Sequence, residues 1–415
     1  MRPNLSCNSP AAGTDRHVAA RLFCALAIFA ALLGSTAPSP LYPQYAAQWK
    51  IGQGAVNALF AVYSLGTLFS LVLGGVLSDR VPDRRWMILP ALATVAAGAF
   101  LMAIASSLPI LFLGRFLAGV GTGAITGTAT AALSELDPSP THGRAAVIAT
   151  LAFTGGAAIG PTVSSIAIAG DLFPRVTPFL FIVALSLLVI AGLVVSPWSR
   201  PRNTTKATVP KLAEATDPVA DKCGKFALSA LTICVAWMVG SALMAVGPAV
   251  AISAFDLQSA ATAGLFPVAF QVFAGCGQFA FGRMRHRTAI RVGLAGLGLT
   301  QTAVAVASAT GTASLLLVTI PISGLVYGAA FVGAAGLVSH SASPNRRGSI
   351  ISRFYAIGYL ANALPVLAMG FLADQIGLRQ SFSVFSAIVL ILAVLGIIAT
   401  IKSADVRAYI TRAMK

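Results

Sequence analysis

Charged side chains are concentrated in one short segment of this sequence, GGVLSDRVPDRRW at residues 74–86. Five of its residues are charged, namely Asp79, Arg80, Asp83, Arg84 and Arg85, and long apolar runs flank the segment. Carboxylates and guanidinium groups can pair with one another, and they can also bind the partial charges at helix ends. The segment therefore favours charge-based contacts that hold neighbouring elements together.

A single charged residue, Arg115, lies well inside an apolar run. A guanidinium group away from water is costly unless it is paired or hydrated. Arg115 shares one helix face with Gly119, Gly123 and Gly127, because residues four apart lie on the same side of a helix. Two interpretations stay open. Arg115 lines a cavity, where it binds an anionic group or responds to proton movement, or it extends to the headgroups at the outer surface.

Uncharged polar side chains recur at helical spacing inside other apolar runs. They are Tyr42; Asn57 and Ser64; Gln271 and Gln278; and Tyr355, Tyr359 and Asn362. Such groups cost free energy in lipid unless they have a partner, so we expect them to face the protein interior. They contact a substrate or form hydrogen bonds between helices, and Tyr42, which lies between two prolines, is expected near an outer gate.

The composition places these residues on helices in lipid. Of 415 residues, 57% are hydrophobic and 10% are charged, and the mean hydropathy is +0.85. One or two soluble cores could not bury so much apolar surface, whereas about 20 apolar residues in a helix span a bilayer. The sequence predicts twelve spans, at residues 20–46, 53–78, 86–106, 109–134, 145–170, 176–196, 226–253, 260–281, 289–309, 314–339, 348–373 and 380–401.

Basic residues are distributed unequally between the two ends of these spans. With the N-terminus in the cytoplasm, the inner segments hold 24 of the 28 Lys and Arg residues, and the outer loops hold Lys50, Arg175 and Arg379. Short loops rich in Lys and Arg stay cytoplasmic. The net charge of +16 thus indicates topology rather than nucleic-acid binding. We expect both termini in the cytoplasm and the chain in the plasma membrane, which in bacteria is the inner membrane.

The twelve spans form two groups of six that are predicted to be repeats. The predicted segments are a cytoplasmic tail at 1–19, a six-helix bundle at 20–196, a cytoplasmic linker at 197–225, a six-helix bundle at 226–401 and a cytoplasmic tail at 402–415. At an offset near 205, Gly119 and Gly123 align with Gly324 and Gly328. Six-helix repeats are typical of transporters, with the substrate site between the halves near the membrane midplane.

Four sequence motifs resemble those of the major facilitator superfamily. GVLSDRVPDRR at 75–85 is similar to the superfamily's loop between its second and third helices, except that Pro82-Asp83 replaces one Gly. RFLAGVGTG at 115–123 resembles its fourth-helix motif. GAAIGP at 156–161 and LGSTAPSPLYP at 33–43 are similar to fifth- and first-helix motifs of its drug:proton antiporter branch. The resemblance implies transport by alternating access.

The resemblance also implies positions for the motif residues. Asp79 is expected against the start of the eleventh span, and Arg84 and Arg85 can reach Glu135 at the inner end of the fourth. With Arg80, these residues form a candidate gate at the cytoplasmic side; alternatively, the basic residues only hold the loop inside. In the fifth span, the stripe that contains Gly156, Gly160 and Pro161 is expected to pack on the eighth span.

None of the twelve acidic residues lies in the middle of a span. Proton-coupled transporters commonly carry the proton on an embedded carboxylate. Coupling here therefore requires a less usual group near the inner face, such as Glu135, Asp79 or His340. The missing acid, together with Arg115, favours neutral, zwitterionic or anionic substrates.

The sequence thus predicts an all-α integral membrane protein of twelve helices in two pseudo-symmetric halves. The leading interpretation is a monomeric secondary transporter that exports a small organic molecule in exchange for protons, without cofactor or metal. An importer or facilitator of an organic anion or neutral metabolite is the alternative. An integral-membrane enzyme is remote, because its four histidines are predicted to be cytoplasmic and leave no embedded catalytic cluster.

Overall fold

The computed structural model describes residues 17–77, 83–137, 143–198, 219–255, 260–341 and 347–413. These residues form fourteen α-helices and a 3-10 helix at Ser39–Leu41. The α-helices are α1 (Val18–Thr36), α2 (Tyr42–Trp49), α3 (Gln53–Leu77), α4 (Arg85–Ala103), α5 (Leu108–Glu135), α6 (Gly143–Ala169), α7 (Thr177–Val195), α8 (Val219–Ala245), α9 (Gly247–Phe255), α10 (Ala260–Phe281), α11 (His286–Thr310), α12 (Ala313–Ser341), α13 (Arg347–Ile376) and α14 (Leu378–Ala413).

Twelve segments are long and apolar enough to cross a membrane, and each coincides with a predicted span. The first and seventh spans are each divided into two helices. In the first, Pro38 and Pro40 lack the N–H groups that would continue α1, so a 3-10 turn connects α1 to α2. In the seventh, the break between α8 and α9 comes just before Pro248.

Two helices extend beyond the predicted spans. Helix α8 begins at Val219, inside the segment predicted as a linker, and α14 continues to Ala413, through most of the predicted C-terminal tail. Charged residues end a hydrophobic run without ending a helix, since Lys and Arg are good helix formers in water. Residues 199–218 of the predicted linker lie outside the described residues.

The two halves repeat the same packing. Helices α1 and α6, α3 and α5, α4 and α5, and α4 and α7 pack together in the N-terminal half. Their counterparts in the C-terminal half are α8 and α13, α10 and α12, α11 and α12, and α11 and α14. Glycines that align in the sequence occupy equivalent contacts: Gly123 packs on the α3 backbone and Gly328 on the α10 backbone. The predicted two-half fold is confirmed.

Two extensive helix contacts join the halves, α3 with α13 and α6 with α10. They are related by the same pseudo-symmetry. We call the membrane face where α1 begins and α3 ends the basic face, because Arg84, Arg144 and Arg285 lie there. The other face, where α3 begins and α13 ends, is called the opposite face.

Candidate functional site

Among the described residues, five hydrogen bonds join the halves between the middle of the membrane and the opposite face. The Ser39 hydroxyl donates to the Met244 carbonyl, and the Asn57 amide donates to the Val366 carbonyl at 2.7 Å. Nearer the midplane, Asn362 Nδ2 donates to Ser64 Oγ at 2.6 Å. The other two bonds involve Asp374. Because these bonds cross from one half to the other, they close the interface on the side of the opposite face.

Asp374, at the end of α13, binds the first turn of α3. Its two carboxylate oxygens accept the backbone N–H groups of Gln53 and Gly54, at 2.7 and 2.9 Å. The first N–H groups of a helix have no partner within the helix, and the helix dipole favours an anion there. Asp374 therefore caps a helix of the other half, and this contact must break if the halves separate at the opposite face.

A cavity of about 110 Å³ lies where the two halves meet, on the midplane side of these bonds. Its wall is formed by α1, the 3-10 turn, α2, α3 and α6 from one half and by α8, α10, α12 and α13 from the other. The volume is far above the roughly 10–15 Å³ that one water requires. Its position between pseudo-symmetric halves is where transporters bind their substrates.

Five of the eight predicted cavity candidates line this cavity. They are Tyr42, Gln271, Gln278, Tyr359 and Asn362. The other three lie elsewhere. Asn57 is fully buried in the α3–α13 contact, where it accepts from Gln53 and donates to Val366. Tyr355 packs its ring against Trp237, behind the wall.

Several lining residues were missed by the sequence analysis because they are aromatic rather than polar. Trp237 on α8 is the most informative of them. Its ring meets Tyr359 edge to face at 4.7 Å, and its indole Nε1 is buried with no hydrogen-bond partner among the described residues. A tryptophan in the middle of an apolar span, far from the membrane interfaces where Trp is usual, is the signal that could have identified it.

Arg115 lies behind the cavity wall, not in it. The side chain is 0% exposed, and its guanidinium carbon is 4.6 Å from the ring centroid of Tyr63, which lines the cavity. Both interpretations offered for Arg115 thus differ from its observed position. It neither faces the cavity nor extends to the outer headgroups, because backbone carbonyls of α1 and α3 hold it inside the N-terminal half.

Those carbonyls lower the cost of burying the arginine, whose Nη2 has no hydrogen-bond partner among the described residues. Arg115 Nη1 donates to the Ser35 carbonyl at 3.0 Å and more weakly to the Gly34 carbonyl at 3.5 Å, and Nε donates to Leu59 at 3.4 Å. In a continuous helix the Gly34 carbonyl would accept from residue 38, but Pro38 has no N–H. A cation also suits the C-terminal end of α1. Arg115 thus stabilises the break in the first span.

The charged segment at residues 74–86 is described only in part, because Asp79 and Arg80 lie outside the described residues. Arg84 pairs with Glu135, as predicted, with its Nη2 2.8 Å from Oε1. Arg85 instead pairs with Asp83 at 2.8 Å and stacks on Trp198. The extra residue in this loop thus gives Arg85 a local partner.

The position of the Arg84–Glu135 pair limits a gating role. Arg84 precedes α4 and Glu135 ends α5, so the contact lies within the N-terminal half. A contact inside one half is not broken when two rigid halves rock apart. Gating by Arg84, Arg85 and Glu135 therefore stays a prediction, because the Arg84–Glu135 contact would be the same before and after the halves move.

The small-residue stripe of α6 packs on α1, which corrects the predicted contact with the eighth span. A Cβ at Gly156 or Gly160 would collide with the α1 backbone, and the Ser164 hydroxyl donates to the Ala37 carbonyl at 2.6 Å. Pro161 lies within α6 next to this stripe. The eighth span, α10, meets a neighbouring face of α6, where Thr154 lies beside Gly275.

Glycines on α5 allow a similar close contact with α3. A Cβ at Gly123 would lie 2.6 Å from the Thr67 carbonyl, and Gly119 faces the Tyr63 carbonyl in the same way. Gly127, on the same face, has no such neighbour within 4 Å. The predicted packing function of Gly119 and Gly123 is consistent with these positions. The described residues contain no group of three His, Cys, Asp or Glu side chains that could hold a metal.

Comparison with known proteins identifies the family of the chain. A family profile described as Major Facilitator Superfamily matches residues 24–364 and 230–409. The chain belongs to this superfamily. The drug:proton antiporter branch stays a prediction.

Segments of the chain are similar to curated transporters. Probable polyol transporter 4 of Arabidopsis thaliana is 33% identical over 94 residues, which are 23% of this chain and 18% of that protein. The facilitated glucose transporter member 4 of solute carrier family 2 from Mus musculus is 32% identical over 149 residues, 29% of each chain. The 4-hydroxybenzoate transporter PcaK of Pseudomonas putida is 28% identical over 117 residues, 28% of this chain and 26% of that protein. The chain spans under a third of these relatives' length.

Solved structures show the same fold over most of the chain. A bacterial homolog of the human lysosomal transporter Spinster, in an inward-facing and unoccupied conformation, has a TM-score of 0.77 at 15% identity, with 92% of this chain and 96% of that chain covered. A D-xylose-proton symporter has a TM-score of 0.72 at 16% identity, with 92% and 97% covered. At these identities the likeness shows that the chain shares the fold of these two proteins.

Proposed function

We propose that this chain moves a small organic solute across the membrane by alternating access, with the central cavity as the binding site. The observation that carries the proposal is the cavity's position between the two halves, closed toward the opposite face by the five hydrogen bonds. The relatives named for polyol, glucose and 4-hydroxybenzoate transport support a small hydroxylated or ring-bearing solute. Exchange between the state that is closed at the opposite face and a state that is open there requires these bonds to break and reform.

Cross-linking the seam tests this mechanism. Cysteines would replace Ser64 and Asn362, whose side chains touch across the halves, in a protein whose native cysteines are replaced by Ala. The protein would be placed in liposomes with radiolabelled glucose, sorbitol or 4-hydroxybenzoate outside. A short thiol cross-linker should stop transport of the accepted solute, and reduction should restore it. Unchanged transport in the cross-linked protein would contradict alternating access at this seam.

A matched control lies within one half. Gln301 Nε2 donates to Ser386 Oγ at 3.1 Å, and both residues belong to the C-terminal half. Cysteines at these two positions can be cross-linked in the same way, but the link joins α11 to α14 and leaves the seam free. Transport should survive this link. Equal inhibition by both links would show that cross-linking itself, rather than immobilising the seam, stops the protein.

We propose that the basic face is cytoplasmic, in a plasma membrane. The described basic residues at that face include Arg21, Arg84, Arg85, Arg144, Arg283, Arg285, Arg287, Arg291 and Arg353, whereas those at the opposite face are Lys50, Arg175 and Arg379. The excess of basic residues supports this orientation. A fluorescent protein and alkaline phosphatase, fused in turn to the C-terminus, report its side: fluorescence without phosphatase activity is expected, and the reverse would contradict the orientation.

Export in exchange for protons, which the antiporter motifs imply, is the finer prediction. Neither Glu135 nor His340 lines the cavity: Glu135 pairs with Arg84, and the His340 ring lies 4.8 Å from that of His286. Proton coupling through either group would therefore act at a distance from the solute. In liposomes, a pH gradient should drive solute movement, and Glu135→Gln or His340→Gln should abolish the response. Equal transport with and without the gradient would favour a facilitator.

A further inference from the structure

We propose that the central cavity takes small ring-bearing solutes without positive charge, and that Arg115 sets this charge preference from behind the wall. The assignment rests on the proposed transport function, because it names the solute class of the same cavity. Two features of the described residues support it. One is the chemistry of the wall, and the other is the position of the buried guanidinium.

Aromatic side chains form nearly half of the wall. Nine of its twenty residues are aromatic: Tyr42, Phe60, Tyr63, Phe153, Trp237, Phe270, Tyr327, Phe331 and Tyr359. Rings of this kind favour flat solutes, which they contact face to face or edge to face. The wall also offers hydrogen-bonding groups, among them the Tyr42 and Tyr359 hydroxyls and the Gln271 and Gln278 amides. A ring that carries a hydroxyl or carbonyl oxygen satisfies both features.

The polar side chains of the wall are neutral amides and hydroxyls. Gln271 has only a weak contact, with Nε2 3.9 Å from the Met244 sulfur, and Gln278 also lines the cavity. The lining residues contain no Lys, Arg, His, Asp or Glu. A charged solute would therefore lose hydration without gaining an ion pair at the wall. The lost hydration weakens the binding of cations and anions equally, so it gives no preference between them.

Arg115 supplies the difference between cations and anions. Aromatic faces alone would attract organic cations. The face of Tyr63, however, already interacts with the Arg115 guanidinium at 4.6 Å, and Arg115 forms no ion pair among the described residues. A solute on the far side of this ring lies roughly 8 Å from the charge, where an effective dielectric constant of about 20 gives about 30-fold weaker binding of a cation. That factor corresponds to about 2 kcal/mol.

The test is binding of three molecules that share one ring. 4-Hydroxyphenethyl alcohol is neutral, tyramine is its cationic analogue, and 4-hydroxyphenylacetate is an anionic one. Binding to the full chain in nanodiscs would be followed by tryptophan fluorescence, with Trp237→Phe as the blank. We expect the neutral compound to bind and tyramine to bind about 30-fold more weakly. Tyramine within threefold of the neutral compound, or no binding of any of the three, would overturn the proposal.

Variants of Arg115 assign the preference to its charge. Arg115→Gln and Arg115→Met should reduce the difference in affinity between tyramine and the neutral compound by about 30-fold, whereas Arg115→Lys should keep most of the discrimination. Two uncharged side chains of different shape are used because one of them can fail to fold. If the neutral compound still binds either uncharged variant and the ratio is unchanged, Arg115 does not set the preference.

Binding and transport fail separately in this design. The binding ratio is measured without a gradient and without movement of solute, so it does not depend on the seam. A protein that shows the charge preference but transports none of the compounds contradicts the proposed function alone. A protein that transports tyramine as well as the neutral compound contradicts the charge preference alone.

Discussion

Replacing Asp374 by Asn should shift the protein toward a state that is open at the opposite face. The carboxylate accepts two N–H groups of the other half, from Gln53 and Gly54. An asparagine side chain has one acceptor oxygen in place of two and carries no charge. The variant therefore loses one hydrogen bond and the attraction between an anion and the N-terminus of α3. Both losses affect only the state in which this face is closed.

The size of the shift follows from these two losses. An anion at an exposed helix N-terminus contributes about 0.3–1 kcal/mol. One hydrogen bond contributes about 0.5–1.5 kcal/mol, and exposure of the Asp374 side chain lowers both values. The closed state should lose about 1 kcal/mol, which changes the ratio of open to closed molecules about fivefold at 1.36 kcal/mol per tenfold.

Distances between spin labels across the opposite face measure that ratio. Cysteines at Gln48, on α2, and Gln380, on α14, are exposed positions in different halves. In a protein without native cysteines, labels at these positions should report a short and a long distance by pulsed electron paramagnetic resonance. The ratio of the long to the short population should rise about fivefold in Asp374→Asn.

Asp171 offers a matched control at the same face. It is exposed, it aligns with Asp374 in the sequence repeat, and its substitution by Asn changes the charge equally. Asn also tolerates the backbone of Asp171, whose φ is 49°. Asp171→Asn should leave the distance distribution as in the unmodified protein. The reasoning is refuted if Asp374→Asn changes the ratio by less than twofold, or if Asp171→Asn changes it equally.

Three further outcomes are expected from close contacts. Gly54→Ala should open the same face more than Asp374→Asn does, since a Cβ at Gly54 would lie 2.7 Å from both the Asp374 carboxylate and the Phe371 ring. The same spin labels measure this opening, and an unchanged distance distribution would contradict the prediction. Gly123→Val should lower the thermal unfolding midpoint in detergent, because a Cβ at this position would lie 2.6 Å from the Thr67 carbonyl and overpacking costs about 1–3 kcal/mol. Gly127→Val is the control and should have little effect on the midpoint. Equal midpoints of the two variants would count against the close α3–α5 contact. Arg84→Ala should cost at most about 1 kcal/mol of stability, because its partner Glu135 is partly exposed. The spin-label distances should stay unchanged, because both residues belong to the same half. A shift in those distances would support the gating role predicted for the pair.

The helices and the repeat could be predicted because they follow from local patterns. Hydropathy alone determines where a span lies, and the Arg84–Glu135 pair joins the ends of consecutive spans, which a short loop brings together. The contact of Asp374 with α3, across the two halves, could not be predicted so directly. The sequence favoured Asp79 for a contact between the halves, whereas the contact that the structure describes uses Asp374. GVLSD at 75–79 and GFLAD at 370–374 share glycine, leucine and aspartate at the same spacing, a similarity that could have drawn attention to Asp374.

The cavity was predicted in part because polarity is an incomplete guide to it. Gln271, Gln278 and Asn362 stood out as polar residues in apolar spans, and all three line the cavity. Trp237 did not stand out, because an aromatic ring in lipid needs no explanation until its unpartnered indole N–H is known. Arg115 stood out correctly as unusual. Its position depends on how α1, α3 and α5 pack around it, which spacing along one helix does not determine.

The contact between Arg115 and the end of α1 also affects how the protein is made. An arginine opposes insertion of a span by up to about 2.5–3.5 kcal/mol on translocon scales, the value for the centre of the helix, and Arg115 is the eighth of the 28 residues of α5. Its acceptors, Gly34, Ser35 and Leu59, belong to spans that are synthesised before α5. We expect α5 to insert efficiently behind these spans and poorly alone, as glycosylation mapping can show; equal insertion in both contexts would refute this. The N-terminal half is then expected to assemble in the order of its synthesis, because α1 and α3 supply the carbonyl groups that Arg115 of α5 requires.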